Sequence, residues 1–328
     1  IGALFSKATI ILYEGNPFYE EPSKLWKLAE KENITLFGTS AKYIDAVRKS
    51  GFKPNESYKL QSLKSLCSTG SPLSPESFEF INRSIKSDMQ IGSISGGTDI
   101  LSCFVLNNPL DEVISGEIQC KGLGMSVEVF DEKGNSIIDT PGELVCTKPF
   151  PSMPIMFWND PDGQKYKKAY FTYYNNIWRH GDWVKITNRG TMVIYGRSDA
   201  TLNPGGVRIG TAEIYKVVEN FKEILEAIVV GQNWEDDVRV ILFVKLSEGN
   251  ILSEELKSKI KLTLKTKVSP RHVPAKIISI HDIPRTRSGK ITELAVRDII
   301  HGKEIKNSEA LSNPEALELY RNLTELKN

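Results

Sequence analysis

The sequence has few of the residues that build metal or disulfide frameworks. Its 328 residues include four cysteines and four histidines, and no two cysteines form a CxxC pair. Zinc sites and disulfide scaffolds need such clusters, so we expect neither, and we expect a reducing, cytosolic compartment. The chain also lacks an apolar run of the roughly 20 residues that a membrane helix requires, so we expect no membrane insertion.

Basic and acidic residues are present in nearly equal numbers. The chain has 42 basic and 41 acidic residues, a formal net charge of +1. A balance of this kind gives no global field that would attract nucleic acid. The basic stretch from Lys257 to Arg271 contains no aromatic residue, and we interpret it as the solvated face of a helix. We therefore expect small-molecule substrates and no nucleic acid, and we make no prediction about protein partners.

The first part of the chain alternates between two local patterns. Short β-rich runs and helical patterns follow one another, which is typical of βαβ units on a parallel sheet. The runs predicted as strands are Ala8–Tyr13, Ile34–Phe37, Leu63–Cys67 and Gln90–Ile94. The predicted helices are Pro22–Glu32, Ala41–Ser50 and Pro75–Lys86, the last with Ser74 as its N-cap.

The pattern of strand and turn residues changes after residue 115. Short alternating strands separated by turn residues predict a β-rich subdomain; they are Gly116–Gln119, Ser126–Phe130, Gly142–Cys146, Trp183–Ile186 and Thr191–Tyr195. Glycine and proline then crowd together in residues 196–210, which indicates a domain junction. The remainder predicts a compact α+β module with a helix over Ser253–Val268. The fold class is therefore α/β, with a first domain over residues 1–198 and a small second domain over 199–328.

Five loop segments combine glycine, hydroxyl groups and charge. They are GGTD (96–99), HGD (180–182), GRSD (196–199), NPGGVRIG (203–210) and RTRSGK (285–290). Taken singly, each has an ordinary structural explanation as a turn, an ion pair, a linker or a solvated basic loop. In a site, the Thr98 hydroxyl suits a phosphate oxygen and the Asp99 carboxylate suits Mg²⁺. Lys290 at a loop tip offers a mobile point charge.

The order of these segments carries more information than any one of them. Together they resemble the core motifs of the adenylate-forming superfamily, which includes acyl-CoA synthetases, luciferases and peptide-synthetase adenylation domains. Within it, the segments GEIQCKGLGMSVEVF, GELVCTKPFPSMPIMFWND, SPRHVPAKI and SNPEALELYR resemble the family of acetoacetate–CoA ligases. The resemblance runs from near the first residue to near the last, and it implies a large AMP-binding domain followed by a small mobile domain.

The resemblance also implies roles for single residues. Gly96, Gly97 and Thr98 would form part of the nucleotide and acyl site, with Thr98 at the α-phosphate and Asp99 at the metal. The implied roles of the others are: Asp182 and Arg197 at the ribose, Asp199 as the hinge between domains, Gly206 lining the passage for the pantetheine arm of CoA, Arg208 at phosphate, and Lys290 stabilising the adenylation transition state.

Three departures from the family pattern matter. The family commonly has glutamate where this chain has Asp99, so the shorter side chain would bind Mg²⁺ with shifted geometry or through water. Acetyl-CoA synthetases carry tryptophan where this chain has Gly96, so we expect a pocket open to a larger acyl group. The phosphate-binding loop that ends in lysine is absent from the chain. We therefore expect a fragment of a longer ligase that is inactive by itself.

The implied activity joins acetoacetate to coenzyme A at the expense of ATP, through acetoacetyl-AMP, in the use of a ketone body for lipid synthesis. Its cofactors and substrates would be ATP, Mg²⁺, CoA and acetoacetate. Two alternatives stay open. One is a ligase of the same superfamily that takes another short-chain acid, and the other is an inactive truncated product that only binds nucleotide or partners.

Overall fold

A computed structural model describes residues 2–287, 289–305 and 308–328, and in this part of the chain the strands form four sheets with helices between and beside them. None of the helices described is long and apolar enough to cross a membrane. The helices, in chain order, are α1 (Gly2–Phe5), α2 (Lys24–Lys31), α3 (Ala41–Ser50), α4 (Pro54–Ser57), α5 (Pro75–Phe80), α6 (Gln164–Tyr170), α7 (Thr211–Val218), α8 (Glu254–Lys267) and α9 (Glu293–Ile300).

The first sheet is parallel, as the alternation of patterns predicts. Strands β1 (Leu36–Ser40), β2 (Ser65–Thr69) and β3 (Gln90–Ser93) lie side by side in that order. Ser40 caps the N-terminus of α3 by accepting a hydrogen bond from the Tyr43 backbone, and Gly51 ends the helix with φ +76°. This βαβ arrangement confirms the fold class for the first region.

Two antiparallel sheets follow. The first contains β4 (Ser95–Gly97), β5 (Ser102–Leu106) and β6 (Cys120–Lys121). The second has the order β10-β9-β8-β7, with β7 (Val127–Phe130), β8 (Gly142–Cys146), β9 (Trp178–Ile186) and β10 (Met192–Arg197). Phe104 and Trp178 are buried in a core shared by these sheets. This is the predicted β-rich subdomain.

The last sheet contains only strands that follow residue 198. Its members are β11 (Ile224–Trp234), β12 (Asp237–Leu246) and β13 (Lys276–Ser279), of which β11 and β12 are antiparallel and β12 and β13 parallel. Helix α8 buries Leu256, Ile260 and Leu264 on one face, so its lysines line the other. The predicted α+β module and the solvated helix face are both confirmed.

Some predicted elements differ from the structure. Residues 8–13 are exposed and form no strand, because no described strand lies beside them to share backbone hydrogen bonds. Only Ile118 of the predicted strand Gly116–Gln119 pairs, in a single bridge to Met192. The helix predicted over Pro75–Lys86 is α helical to Phe80 and then changes to a π turn over Ile81–Ile85.

Candidate functional site

The residues predicted to hold a ribose lie opposite each other in the four-stranded sheet. Strands β9 and β10 are antiparallel, and their register pairs Asp182 directly with Arg197. The Arg197 Nη1 donates to Asp182 Oδ1 at 3.2 Å and to the His180 carbonyl at 3.0 Å. Ser95 Oγ of β4 lies 3.4 Å from the other Asp182 oxygen. A buried carboxylate is therefore held by a cation and a hydroxyl from two neighbouring elements.

The glycine-rich segment adjoins this pair. Ser95 opens β4, and Thr98 and Asp99 lie exposed in the turn that follows it. The Asp99 carboxylate folds over Gly97 so closely that a Cβ at position 97 would collide with Asp99 Oδ1. The same Cβ would lie 3.3 Å from His180 Cε1. The predicted phosphate and metal residues thus share one corner of the molecule with the predicted ribose residues.

Gly96 lies tightly against a neighbouring strand. A Cβ at this position would collide with the Ser102 carbonyl oxygen and lie 2.6 Å from Cys103 Cα, both in the backbone of β5. No real side chain approaches backbone that closely, so a tryptophan could not enter here unless β5 moved. In this structure the glycine permits the close approach of β4 and β5, and a role of Gly96 beside the acyl group stays a prediction.

His180 is buried between the two sets of residues. Its side chain is 7% exposed, and its ring packs at a steep angle against the Phe104 ring, with 4.7 Å between the ring centroids. Its Nε2 is 3.7 Å from Asp182 Oδ2, whereas Nδ1 has no hydrogen-bond partner among the described residues. Burial lowers the pKa of His180, against the opposing effect of the Asp182 carboxylate. The neutral imidazole is therefore the favoured form.

A buried ion pair that sequence reasoning missed fixes the segment before Asp199. Glu143 of β8 is 3% exposed, with Oε2 3.0 Å from an Arg179 nitrogen, and its Oε1 accepts a hydrogen bond from Ser198 Oγ at 3.0 Å. Burial raises the pKa of Glu143 although Arg179 opposes the shift. The carboxylate therefore ties three strand ends together at residue 198. No local signal reveals this contact, because Glu143 and Ser198 are 55 residues apart.

The predicted residues of the second region are less closely joined to this corner. Asp199 lies 3.4 Å from Arg197 Nε, and its carbonyl accepts a hydrogen bond from Arg297 of α9. Arg208 lies over the Trp183 ring at 5.2 Å and 3.5 Å from Glu132, so it faces the first region.

Lys290 and Gly206 lie on exposed loops. The Lys290 backbone closes its loop through hydrogen bonds with Thr286, one of them at 2.9 Å between Thr286 N and Lys290 O. Within the described residues, no ion pair joins the Lys290 ammonium to the Asp182–Arg197 pair. Ser288 of the same motif lies outside the described residues. Gly206 has φ +75° and open space where a Cβ would be.

The carboxylates suit a metal held mainly by a substrate. The described residues contain no group of three or more His, Cys, Asp or Glu side chains that could hold an ion by themselves. Mg²⁺ in nucleotide sites needs only one or two carboxylates together with phosphate oxygens and water. Exposed Asp99, beside a glycine that leaves room for its carboxylate, fits that requirement.

Comparison with known proteins agrees with this architecture. The profile for the AMP-binding enzyme matches residues 1–154, and the profile for the AMP-binding enzyme C-terminal domain matches residues 213–290. The chain belongs to the AMP-binding enzyme family.

Similarity to individual proteins narrows the match further than the family profiles do. The chain is 59% identical over 321 residues to "Acetoacetyl-coenzyme A synthetase" of Rhizobium meliloti (strain 1021), which covers 98% of the chain and 49% of the relative. It is 46% identical to "Acetoacetyl-CoA synthetase" of Xenopus tropicalis, with 100% of the chain and 49% of the relative covered. The solved structure of acetoacetyl-CoA synthetase from Streptomyces lividans superimposes with a TM-score of 0.92 at 40% identity, covering 100% of this chain and 51% of that one. The chain therefore spans about half the length of the relatives it matches.

Proposed function

We propose that the chain works in an AMP-forming acetoacetate–CoA ligase. The observation that carries the proposal is the 59% identity along 98% of the chain to a protein named acetoacetyl-coenzyme A synthetase. The corner formed by Asp182, Arg197 and Asp99 supports it, since a paired carboxylate and cation suit a ribose and an exposed carboxylate suits a metal–phosphate complex. The substrates would be ATP, CoA and acetoacetate, and the four free cysteines agree with action in the cytosol.

In the first half-reaction, an acetoacetate carboxylate oxygen attacks the α-phosphorus of ATP. The new P–O bond forms as the bond to pyrophosphate breaks, and acetoacetyl-AMP results. Asp182 and Arg197 orient the ribose, Thr98 contacts the α-phosphate, and the Lys290 ammonium neutralises charge that builds on its oxygens. Asp99 holds Mg²⁺, which when bound supplies positive charge to the phosphates.

In the second half-reaction, the CoA sulfur attacks the acyl carbon of acetoacetyl-AMP. A C–S bond forms, the C–O bond to AMP breaks, and the thiol proton leaves to solvent. We propose that the small domain, residues 199–328, rotates about Asp199 between the two steps. The rotation withdraws Lys290 and presents the loop at Gly206, where empty space would admit the pantetheine arm. Arg208 would release Glu132 and meet a phosphate of a substrate.

Lys290→Ala provides the test, in the protein expressed from its whole coding sequence. We expect acetoacetyl-AMP formation to fall about a hundredfold, because an electrostatic contact made in the transition state is lost. Thioester formation from supplied acetoacetyl-AMP should persist. Lys303→Ala, which removes another exposed lysine of the same region, should leave both half-reactions unchanged. Equal loss of both half-reactions in Lys290→Ala would contradict the assigned role.

The choice of acid needs a second measurement. Pyrophosphate release with acetoacetate, acetate, propionate and butyrate gives kcat/KM for each acid. We expect the largest value for acetoacetate. A larger value for another acid would assign a different ligase of the same family, and no release with any acid would favour a protein that only binds nucleotide.

A further inference from the structure

A tyrosine far away in the sequence holds the predicted metal ligand. Tyr170, the last residue of α6, donates its hydroxyl hydrogen to Asp99 Oδ2 at 2.6 Å, across 71 residues of sequence. This length is typical of a hydroxyl bound to an ionised carboxylate, which is among the stronger hydrogen bonds in proteins. An ionised carboxylate can only accept hydrogen bonds, whereas a phenol carries a hydroxyl hydrogen at neutral pH. Tyr170 is therefore the donor and Asp99 the acceptor.

The ring of Tyr170 is itself held firmly. It stacks on Trp178 with 3.7 Å between ring centroids and 12° between planes. Helix α6 is fixed at its start by Asp160, whose carboxylate accepts from the backbones of Lys165 and Tyr166. Trp178 is buried and opens strand β9, which also carries Asp182. The tyrosine hydroxyl thus has a fixed position relative to the predicted ribose site.

Asp99 depends on such a partner because it is exposed and has little else to orient it. It lies in the turn after β4, where only the missing side chain of Gly97 makes room for its carboxylate. Tyr170 takes Oδ2, which leaves Oδ1 and the remaining lone pairs of the carboxylate available to a cation. A donor on a rigid aromatic support would restrict the carboxylate to one rotamer.

We propose that Tyr170 is a positioning residue that orients Asp99 for the divalent cation of the ATP complex. The proposal rests on the function proposed above, since it needs a nucleotide–metal complex at this corner. Tyr170 does not touch the metal or the phosphates in this scheme. It acts only through Asp99, so its effect must vanish when position 99 can no longer bind a cation.

The test measures how nucleotide binding depends on Mg²⁺ in the protein expressed from its whole coding sequence. Calorimetric titration with ATP at increasing Mg²⁺ concentration gives the half-saturating Mg²⁺ concentration. Tyr170→Phe keeps the ring and its stacking but removes the hydroxyl, and we expect this concentration to rise about tenfold, as for the loss of one hydrogen bond to a charged group. AMP binding in EDTA should stay unchanged.

Tyr166→Phe is the matched control. Tyr166 lies one turn earlier in α6, in the same aromatic cluster, but its hydroxyl donates to the Pro154 carbonyl. Removing that hydroxyl should leave the Mg²⁺ dependence unchanged. Asp99→Asn keeps the shape of the side chain and an acceptor for Tyr170 but loses the charge. In the Asp99→Asn background, Tyr170→Phe should have no further effect, which also tests the proposal if the single variant folds poorly.

The outcomes separate this proposal from the function on which it rests. A tenfold rise that requires Asp99 supports the positioning role. An unchanged Mg²⁺ dependence, an equal rise in the Asp99→Asn background, or an equal rise with Tyr166→Phe overturns it while leaving the proposed ligase intact. If ATP binding by the unmodified protein shows no Mg²⁺ dependence at all, the proposed function fails and this inference fails with it.

Discussion

The molecule has two pairs of adjacent glycines in segments predicted to meet the substrates, and their surroundings are opposite. At Gly96 and Gly97 in the first region, an added Cβ would strike the backbone of β5 or the carboxylate of Asp99. At Gly206 in the second region, no described atom lies within 4 Å of such a Cβ. The neighbouring Gly205 donates its backbone N–H to both oxygens of Asp237 at 3.0 Å, which holds the open loop in place.

The difference shows that glycine serves two physical purposes in this chain. In the first region it allows polypeptide and side chains to approach more closely than any Cβ permits. In the second it leaves a surface without side chains, in a backbone conformation with positive φ that other residues adopt only with strain. Substitutions should therefore damage stability in the first region and a specific step of the reaction in the second.

The largest effect should come from Gly96→Ala. Even one methyl group would force β4 and β5 apart, and we expect the free energy of unfolding to fall by about 3 kcal/mol, at the upper end of the usual cost of overpacking. Denaturant unfolding followed by circular dichroism measures it. Gly38→Ala in β1 is the control, because no described atom lies within 4 Å of a Cβ there. If Gly96→Ala and Gly38→Ala were equally stable, the claim that Gly96 is needed for the close approach of β4 and β5 would be wrong.

A smaller effect on stability, with a selective effect on the reaction, should follow from Gly206→Leu. We expect the transfer to CoA to slow by about tenfold to a hundredfold because the side chain fills the open loop, while pyrophosphate release continues. The positive φ adds a stability cost of about 1–2 kcal/mol. Stopped assays of pyrophosphate and thioester separate the two steps.

Gly249→Leu is the matched control for that variant. Gly249 has φ +77° and equally open surroundings, but it lies beyond the end of β12, in a loop to which no function is assigned. Its substitution should carry the same conformational cost with thioester formation intact. If both leucine variants slow CoA transfer equally, or if Gly206→Leu leaves it unchanged, the proposed passage at Gly206 does not exist.

The parts of the fold and of the candidate site that depend on local sequence patterns could be predicted. The alternation of strand and helix patterns before residue 95 predicts the parallel sheet of β1, β2 and β3. The antiparallel pairing of β9 with β10 follows once two strands and the turn between them are predicted as a hairpin, but the register shift between Ile194 and Gly196, which places Asp182 opposite Arg197, does not. These features depend on residues that are close together in the chain.

The remainder depends on contacts between distant segments. No sequence pattern predicts β5, so the contact of Gly96 with the backbone of that strand could not be foreseen. The bond from Tyr170 to Asp99 and the ion pair of Glu143 with Arg179 likewise join separate elements. Packing of elements decides these contacts, and no periodicity or spacing within one element encodes them.

The smallest effect concerns the pH dependence of stability in the crowded region. Burial beside Gly97 and Phe104 lowers the pKa of His180 below the value of an unfolded chain, which is about 6.5. Asp182 and Asp99 oppose the shift, whereas Arg197 adds to it. Above pH 6.5 both states hold a neutral imidazole, and the contribution of His180 to stability is fully present. As the pH falls from 6.5 towards the folded-state pKa, the His180 imidazole becomes protonated in the unfolded chain but stays neutral in the folded protein. The free energy of unfolding therefore decreases.

One proton changes the free energy of unfolding by at most about 1.4 kcal/mol per pH unit, and by less near pH 6.5, where the unfolded imidazole is only partly charged, so the expected loss at pH 6 is below about 1 kcal/mol. Denaturant unfolding of the protein and of His180→Gln at several pH values between 5 and 8 isolates it, because subtracting one curve from the other removes the titration of all unaltered groups. We expect the stability of the protein relative to the variant to be constant above pH 7 and to decline below 6.5. A difference that is flat throughout would show that the imidazole takes up its proton as easily in the folded protein as in the unfolded chain, and that the space around Gly97 is as open to water as the loop at Gly206. A difference that grows as the pH falls would show instead that pairing with Asp182 and Asp99 outweighs burial.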